Sequence, residues 1–346
     1  MTIVEATRTV VGGIDTHGEV HVAAALDDIG GLLGAESFAA TPTGYETLLS
    51  WLESFGSVTK VGVEGTGSYG AGIARRLTRA GIVVVEIDRQ NRQARRNAGK
   101  SDPLDAIEAA RATLSGKASG RAKSRDGFVE ALRVLVVAKR SARAARVKAL
   151  TQMRQLTYSA PDQLQARLKG LSITEFLSVA QGLRPARSAD VMTAATKASL
   201  SSLAHRVGDL EAEIAELDAL IAPILEANAI ELLAINGVGI DAASSLLVAA
   251  GDNPERLRSE AAWAHLCGVS PLEASSGKVT RHRLNRGGDR QANRALWHIV
   301  ISRLASDPDT QAYMERRLKE GRSKREVIRI LKRYVARAVY RQLPRH

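Results

Sequence analysis

Cysteine is nearly missing from this chain: Cys267 is the only one in 346 residues. That excludes an internal disulfide and a cysteine-based zinc cage. Its place in the apolar run AAWAHLCGV fits a small buried hydrophobe. Aromatic residues are also scarce, at 4%, which argues against binding that depends chiefly on stacking single-stranded bases. No apolar run approaches the length of a membrane span, and the first residues lack the charged segment, apolar stretch and cleavage site of a secretory signal. A cytoplasmic protein with no membrane partner is expected.

What is present is positive charge. Lys and Arg number 49 against 37 Asp and Glu, a formal net charge of +12. Such an excess suits a polyanionic partner, because phosphate contacts release counterions from nucleic acid. With so few aromatics, contact with duplex backbones is favoured. A hydrophobic content of 45% supports real cores, and the length points to two or three domains.

Along the chain, TVVGGIDT (9–16), EVHVAAALDD (19–28) and GLLGAESFAA (31–40) read as a three-strand antiparallel meander with very short connections. A helix follows over 43–55, with Tyr45, Leu48, Leu49 and Leu52 on one side. KVGVEG (60–65) is a buried strand, 70–81 a helix closed by Gly81, and GIVVVEID (81–88) another buried strand. Two helices come next, the second opening at SDPLD. Three antiparallel strands followed by alternating helix and strand make a mixed α/β sheet covered by helices, in the ribonuclease H-like order.

The character changes after residue 116. GKASGRAKSRDG (116–127) reads as a Gly/Ser/basic linker, and 128–158 as one long basic helix. Its apolar positions include Phe128, Leu132, Leu135, Leu150 and Met153, while Lys139, Arg140, Arg143 and Arg146 crowd its polar side. That side is either a solvated face or a nucleic-acid surface. Leu200, Leu203, Val207, Leu210, Ile214, Leu217, Ile221 and Ile224 then form a heptad seam, which predicts a coiled coil with the 128–158 helix or with another subunit. Pro223 should kink or end that helix. LLAINGVGIDAASSLLVAAG (232–251) resembles a helix–hairpin–helix, in which Gly237 and Gly239 would let backbone N–H groups approach a DNA phosphate; a tight helical corner is the plainer reading. The 321–346 segment is a basic amphipathic helix suited to DNA, RNA or an acidic partner. The expected domains are thus 1–116, 117–228 and 229–346, the last mostly helical.

Four acids stand out. Asp15 ends the first strand and Glu64 the fourth, and in a sheet of this order those strands are neighbours. The ordinary reading of SDPLD is a helix start: Asp102 is a good N-cap, Pro103 suits the first position, and Asp105 favours the positive end of the helix dipole. Yet Asp102 and Asp105 also face one way and could meet the other two acids. Divalent cations with a preference for oxygen would draw such a set together, magnesium bridging carboxylates to phosphate. Two ions about 4 Å apart can stabilise both the attacking and the leaving oxygen of a phosphodiester displacement.

GIDTH, VEGTGSYG and KSDPLDA resemble the D-E-D-D set of the IS-one-ten insertion-sequence transposases, whose N-terminal domain is similar to the RuvC resolvase. LLAINGVGIDAASSLL, AHLCGVSPLEASSGK and LNRGGDRQANRAL resemble that family's second conserved domain, although NRGGDRQANRAL carries an extra glycine and an altered ending. The resemblance implies magnesium, in two ions, bound by Asp15, Glu64, Asp102 and Asp105. It also implies a serine nucleophile just before a glycine and five positions after a proline. Pro271 and Ser276-Gly277 fit, with Ser275 as the alternative. A Ser-Ser-Gly stretch is by itself most often a turn, but Lys278, Arg281, Arg283 and Arg286 add the positive charge that a phosphoryl transition state needs.

The family further implies a structured guide RNA, often called a bridge RNA, and a homo-oligomer in which the acids of one subunit meet Ser276 of another. The leading expectation is therefore a DNA transposase or site-specific recombinase working through a serine–DNA link. A RuvC-like junction resolvase that uses only the four acids is the second reading, and a non-catalytic nucleic-acid scaffold the third.

Overall fold

The computed structural model describes residues 8–87, 102–118, 120–123, 125, 127–185, 190–253, 257–276 and 279–344. The chain divides into two compact units, one of residues 1–129, 250–262 and 345–346, the other of residues 130–249 and 263–344.

The first unit is built on a six-stranded mixed sheet. Its strands are β1 (Thr9–Thr16), β2 (Val20–Leu26), β3 (Leu32–Ala39), β4 (Ser57–Glu64), β5 (Val83–Ile87) and β6 (Gly120–Arg121), in the order β3-β2-β1-β4-β5-β6. β1, β2 and β3 form the expected antiparallel meander, and β4 and β5 add to β1 in parallel. The pairing of β6 antiparallel to β5 at Val85 and Glu86 corrects the reading of 116–127 as linker throughout.

Helices α1 (Pro42–Glu53) and α2 (Ala71–Arg79) cover one face of this sheet. Thr41 caps α1 by accepting from the Gly44 N–H, and Pro42 takes the first helical position, where its missing N–H costs nothing. Leu48, Leu52, Ile73 and Leu77 bury against Val10, Ile14, Val61 and Val63. Helix α3 (Asp102–Leu114) covers the other face and starts at the SDPLD motif, with Asp102 as its first helical residue rather than the N-cap expected from the sequence, and Asp102 and Asp105 both in its first turn. The helix expected between β5 and α3 lies outside the described residues.

In the second unit, α4 (Phe128–Tyr158), α5 (Asp162–Leu168), α6 (Ile173–Gln181) and α7 (Val191–Asn228) share a core of Ala149, Met153, Leu164, Leu168, Phe176, Leu200, Ala204 and Val207. Leu200 and Val207 at the start of the α7 seam thus share a core with Ala149 and Met153 of the 128–158 helix, and Arg146 of α4 pairs with Glu211 of α7. Pro223 does not end α7, which runs on to Asn228. One backbone hydrogen bond is lost there, but Ile221 and Leu225 are fully buried on either side and hold the helix in place.

The rest of this unit comprises α8 (Ile230–Leu233), α9 (Ile240–Ala250) up to residue 249, α10 (Glu260–Leu266) from Trp263 onward, strands β7 (Leu272–Glu273) and β8 (His282–Arg283), and α11 (Arg290–Ser306), α12 (Pro308–Lys319) and α13 (Lys324–Gln342). The basic C-terminal segment is docked: Val327, Leu331, Val335, Ala336 and Val339 of α13 are buried, and the Trp263 indole N–H donates to the Ala336 carbonyl at 3.1 Å. No helix among the described residues is long and apolar enough to cross a membrane.

Candidate active site and nucleic-acid interface

Two glycines decide how close α3 comes to the sheet. Gly13 of β1 lies opposite Gly62 of β4, and each precedes an acid by two residues. Because side chains alternate along a strand, Gly13 shares a face with Asp15 and Gly62 with Glu64. A methyl at Gly13 would sit 2.2 Å from both the Ala106 carbonyl oxygen and the Ala110 nitrogen, and one at Gly62 would sit 2.1 Å from Thr113 Oγ1. The helix rests directly on strand backbone, and its own contact side is cut down to Ala106, Ala109 and Ala110, all buried. Its first turn consequently reaches the carboxyl-terminal end of β1.

There the side chains converge. Asp15, His17 and Asp102 each offer a donor atom, all within 4.8 Å of one another. His17 Nε2 stands 3.1 Å from Asp15 Oδ2 and 3.8 Å from Asp102 Oδ1. Asp15 is only 7% exposed, and Asp105, one turn further along α3, is equally enclosed. Glu64 ends the neighbouring strand: Ile14 faces Val63 in the register, and the Thr16 hydroxyl donates to the Glu64 carbonyl at 2.8 Å. Asp15 and Asp102 therefore meet at ligand distance, while Asp105 lies one turn along α3 from Asp102 and Glu64 ends β4 beside β1. His17 was missed in the sequence, although it stands two residues after Asp15 in GGIDTH. Two carboxylates and an imidazole make a donor set that suits a divalent cation. Oxygen donors favour magnesium or manganese, and the imidazole widens the choice toward softer ions.

The serine candidates lie in the second unit, on the arm formed by β7 and β8, where a turn was expected. Leu272 pairs with Arg283 and Glu273 with His282, and Ser276 bridges to Val279 near the tip. The two serines differ. The Ser275 hydroxyl accepts from the Arg281 backbone N–H at 3.2 Å, which ties it into the arm, whereas Ser276 contributes main-chain bonds to Val279 and stays exposed. Arg281, Arg283 and Arg286 are all exposed on this arm or just beyond it; Lys278 lies outside the described residues.

The long basic helix divides its charges. Lys139 is 3% exposed and donates to Asp241 at 2.7 Å as well as to Asp218. Arg143 pairs with Asp241 at 2.7 Å. Lys139 is therefore corrected from a surface contact to an internal one, because two carboxylates consume its charge where no phosphate reaches it. Arg140 is half-buried and Arg143 exposed. Burial alone would raise the Asp241 pKa, but hydrogen bonds from Lys139 and Arg143 outweigh it and hold the carboxyl below its ordinary range.

The Gly-Val-Gly turn is also more enclosed than expected. Gly237 takes a positive φ of 79°, and a methyl there would lie 3.1 Å from the Ile299 carbonyl oxygen of α11. Arg303 Nε closes the turn by donating to the Asn236 carbonyl at 2.7 Å. Gly239 remains exposed with open space beside it. The acid in the first turn of α9, Asp241, offsets part of the positive helix end that a phosphate would use.

Comparison with known proteins now adds to this geometry. A transposase model of the D-E-D-D, IS110 type matches residues 12–158, and a model described as "Transposase IS116/IS110/IS902 family" matches residues 229–315. The chain belongs to the IS110 family of transposases. Its relatives include "Insertion element IS110 uncharacterized 43.6 kDa protein" of Streptomyces coelicolor, 30% identical over 125 residues, which are 35% of this chain and 31% of that protein. "Insertion element IS900 uncharacterized 42 kDa protein" of Mycobacterium paratuberculosis is 24% identical over 209 residues, 55% of this chain and 51% of that protein. The aligned parts span about a third and about a half of those relatives. Within the IS110 family frame, the first match runs from β1 through α4 and takes in all four acids. The second takes in the Gly-Val-Gly turn and the serine arm. The stretch between the two matches holds α5, α6 and α7.

Proposed function

We propose that this chain is the DNA transposase of an insertion sequence, a recombinase that cuts and rejoins strands through a serine–DNA link. The observation that carries the reading is the meeting of Asp15, His17 and Asp102 at the end of β1, in a chain whose two family matches are both to transposases. The RuvC-like domain, expected to end at 116, takes in β6 as far as Arg121; the long helices with their coiled-coil seam follow to 228, and 229–346 is the serine domain.

In this reading Asp15, Asp102, Glu64 and Asp105 hold divalent metal, magnesium in two ions, with His17 as an added ligand. Metal bound there would neutralise the carboxylates and polarise phosphate oxygens. The chain's own carboxylates position that charge, and the close seating of α3 keeps them together. Ser276 attacks the scissile phosphate: its Oγ–P bond forms, the strand's P–O bond breaks, and the serine proton passes to the departing strand oxygen. The link conserves bond energy for religation, which suits recombination better than hydrolysis. Ser276 is preferred over Ser275 because the Ser275 hydroxyl is tied to Arg281. Arg281, Arg283 and Arg286, with Lys278, supply the cations around the phosphate, and Arg140 and Arg143 extend the basic surface.

Gly239, in the turn that resembles a helix–hairpin–helix, is the better placed of the two glycines for backbone contact with DNA. A structured guide RNA and a homo-oligomer, with the acids of one subunit serving Ser276 of another, complete the reading, as does action at the nucleoid.

The test is a search for a covalent adduct. The gene is expressed with its flanking element DNA and lysed in detergent, and wild type is compared with Ser276→Ala, Ser275→Ala and Asp15→Ala. An adduct lost in Ser276→Ala and kept in Ser275→Ala is expected. Metal-dependent cleavage that persists in Ser276→Ala with no adduct in any sample would replace this reading with a RuvC-like nuclease.

A further inference from the structure

At the base of the serine arm lies a cavity of about 440 Å³ that shares only Arg286 with the function above. It falls within the size range of small-molecule sites. It is lined by Pro271 and Leu284, where the arm leaves the body, and by Arg286, Arg329, Lys332 and Tyr334. No carboxylate is among its described lining residues, so its cations share a recess whose lining carries no negative charge. Lys332 is half-buried, and its ammonium has a neutral partner, Asn293 Oδ1, at 2.8 Å. Desolvation first, and then the charge of Arg329, depress the Lys332 pKa. A cation held in this way gains from an incoming anion.

The cavity also has a flat apolar element. Tyr334 is 47% exposed, and its ring is fixed edge-on against Tyr313, with centroids 5.8 Å apart. Cations beside an aromatic ring match a phosphate beside a base. The amides in the wall are committed elsewhere: Asn293 Nδ2 donates to the Cys267 carbonyl at 2.8 Å, and Asn285 Nδ2 donates to the His265 carbonyl at 2.9 Å. That arrangement reads the phosphate and the face of the base and tolerates any sequence.

We propose that this cavity holds one unstacked nucleotide of the DNA strand that runs up the arm toward Ser276. The proposal rests on the transposase reading for its choice of DNA. Ser276 stands five residues beyond Pro271, about 16 Å along an extended chain. That distance corresponds to about five stacked nucleotides at 3.4 Å each. The cavity thus anchors a nucleotide a few positions from the scissile phosphate and sets the register of cutting.

The test is calorimetric binding to the full-length protein of dAMP, AMP, deoxyadenosine and inorganic phosphate, repeated with DNA and RNA hexamers. The expected result is that dAMP binds at least tenfold more tightly than phosphate or deoxyadenosine. Tyr334→Ala should weaken dAMP by about 5- to 150-fold, the range for loss of one stacked base, while phosphate binding stays unchanged. Tyr334→Phe should restore dAMP binding, and circular dichroism confirms that each variant is folded. Arg329→Ala should weaken both dAMP and phosphate. Equal affinity for phosphate and dAMP, no binding of either, or no response to Tyr334→Ala overturns the site. Tighter binding of AMP and RNA overturns the assignment to DNA. A cavity that binds dAMP in a protein that forms no adduct would leave this site standing and remove the serine chemistry, so the two readings fail separately.

Discussion

Replacing Gly13 with alanine should do far more damage than replacing its neighbour Gly12, although both lie in the same buried strand. The new methyl at Gly13 would stand 2.2 Å from two backbone atoms of α3, short of ordinary contact (~3.5 Å) by about 1.3 Å. Backbone cannot rotate out of the way, so the helix must withdraw by about that distance. Overpacking of this kind costs roughly 1–3 kcal/mol or more. The entropy that alanine removes from the unfolded chain returns about 0.5–1 kcal/mol. A net loss of about 2 kcal/mol lowers the melting temperature of a domain this size by roughly 5–10 °C.

At Gly12 the methyl would meet only side-chain ends, Val61 at 3.1 Å and Leu52 at 3.3 Å, which can shift, so a change within about 1 kcal/mol is expected. Calorimetry of both variants gives the stabilities. Titration with Mn²⁺ gives the second readout: Gly13→Ala moves Asp102 away from Asp15 and should weaken metal binding by at least about tenfold. Equal stabilities for the two variants, or an unchanged Mn²⁺ affinity in Gly13→Ala, would refute the account of how α3 is seated.

Three further outcomes can be checked on the same protein. Lys139→Met should lower the unfolding free energy by roughly 2 kcal/mol in a denaturant titration, less than a fully buried pair because its carboxylate partners are partly hydrated, whereas Arg140→Met should change it little. The carboxyl of Asp241 is held below its ordinary value of 3.8, so its contribution is present above that pH and is lost on acidification below it; an acid titration should show this loss in wild type and reduce it in Lys139→Met. Burial, and then the charge of Asp289, push the Cys267 thiol far up, so a thiol reagent should label it only after unfolding, and rapid labelling of the native protein would contradict its buried place.

The sheet was legible because its strands carry their own boundaries. The short connections after Thr16 and Leu26 force a meander, and the apolar runs around Val61 and Val84 require burial on both faces. The meeting of Asp15 with Asp102 was legible too, as a consequence of strand order and a helix that opens at SDPLD. What pattern reading could not supply was the distance between helix and sheet. That distance depends on Gly13 and Gly62 standing side by side, a register relation between strands far apart in sequence, and on the small residues Ala106, Ala109 and Ala110 across from them. His17 escaped for a related reason: it lies past the end of the strand, where alternation no longer says which way a side chain points. Lys139 was misplaced because helix periodicity shows which side it occupies but not that Asp218 and Asp241 wait there.

The glycines also explain why the candidate metal site is tied to the stability of its own domain. Side chains larger than alanine at the contact would hold α3 farther from the sheet, and a helix one side-chain layer away would carry Asp102 out of reach of Asp15. Bare backbone contact brings the acids together at the loss of the apolar area that larger residues would have buried there. The few large side chains against α3, such as Val22, leave that face weaker than the opposite one, where Leu48, Leu52, Ile73 and Leu77 pack. The carboxylates of Asp15 and Asp102, which offer donor atoms within 4.8 Å of one another, add to the strain on this side, since like charges drawn together oppose folding until a divalent cation joins them. Divalent metal should therefore protect the face bearing α3 more than the face bearing α1 and α2. Hydrogen exchange with and without Mn²⁺ would show this as slowed exchange in α3 and β1, and equal protection on both faces would mean that the acids do not bear on the folding of α3.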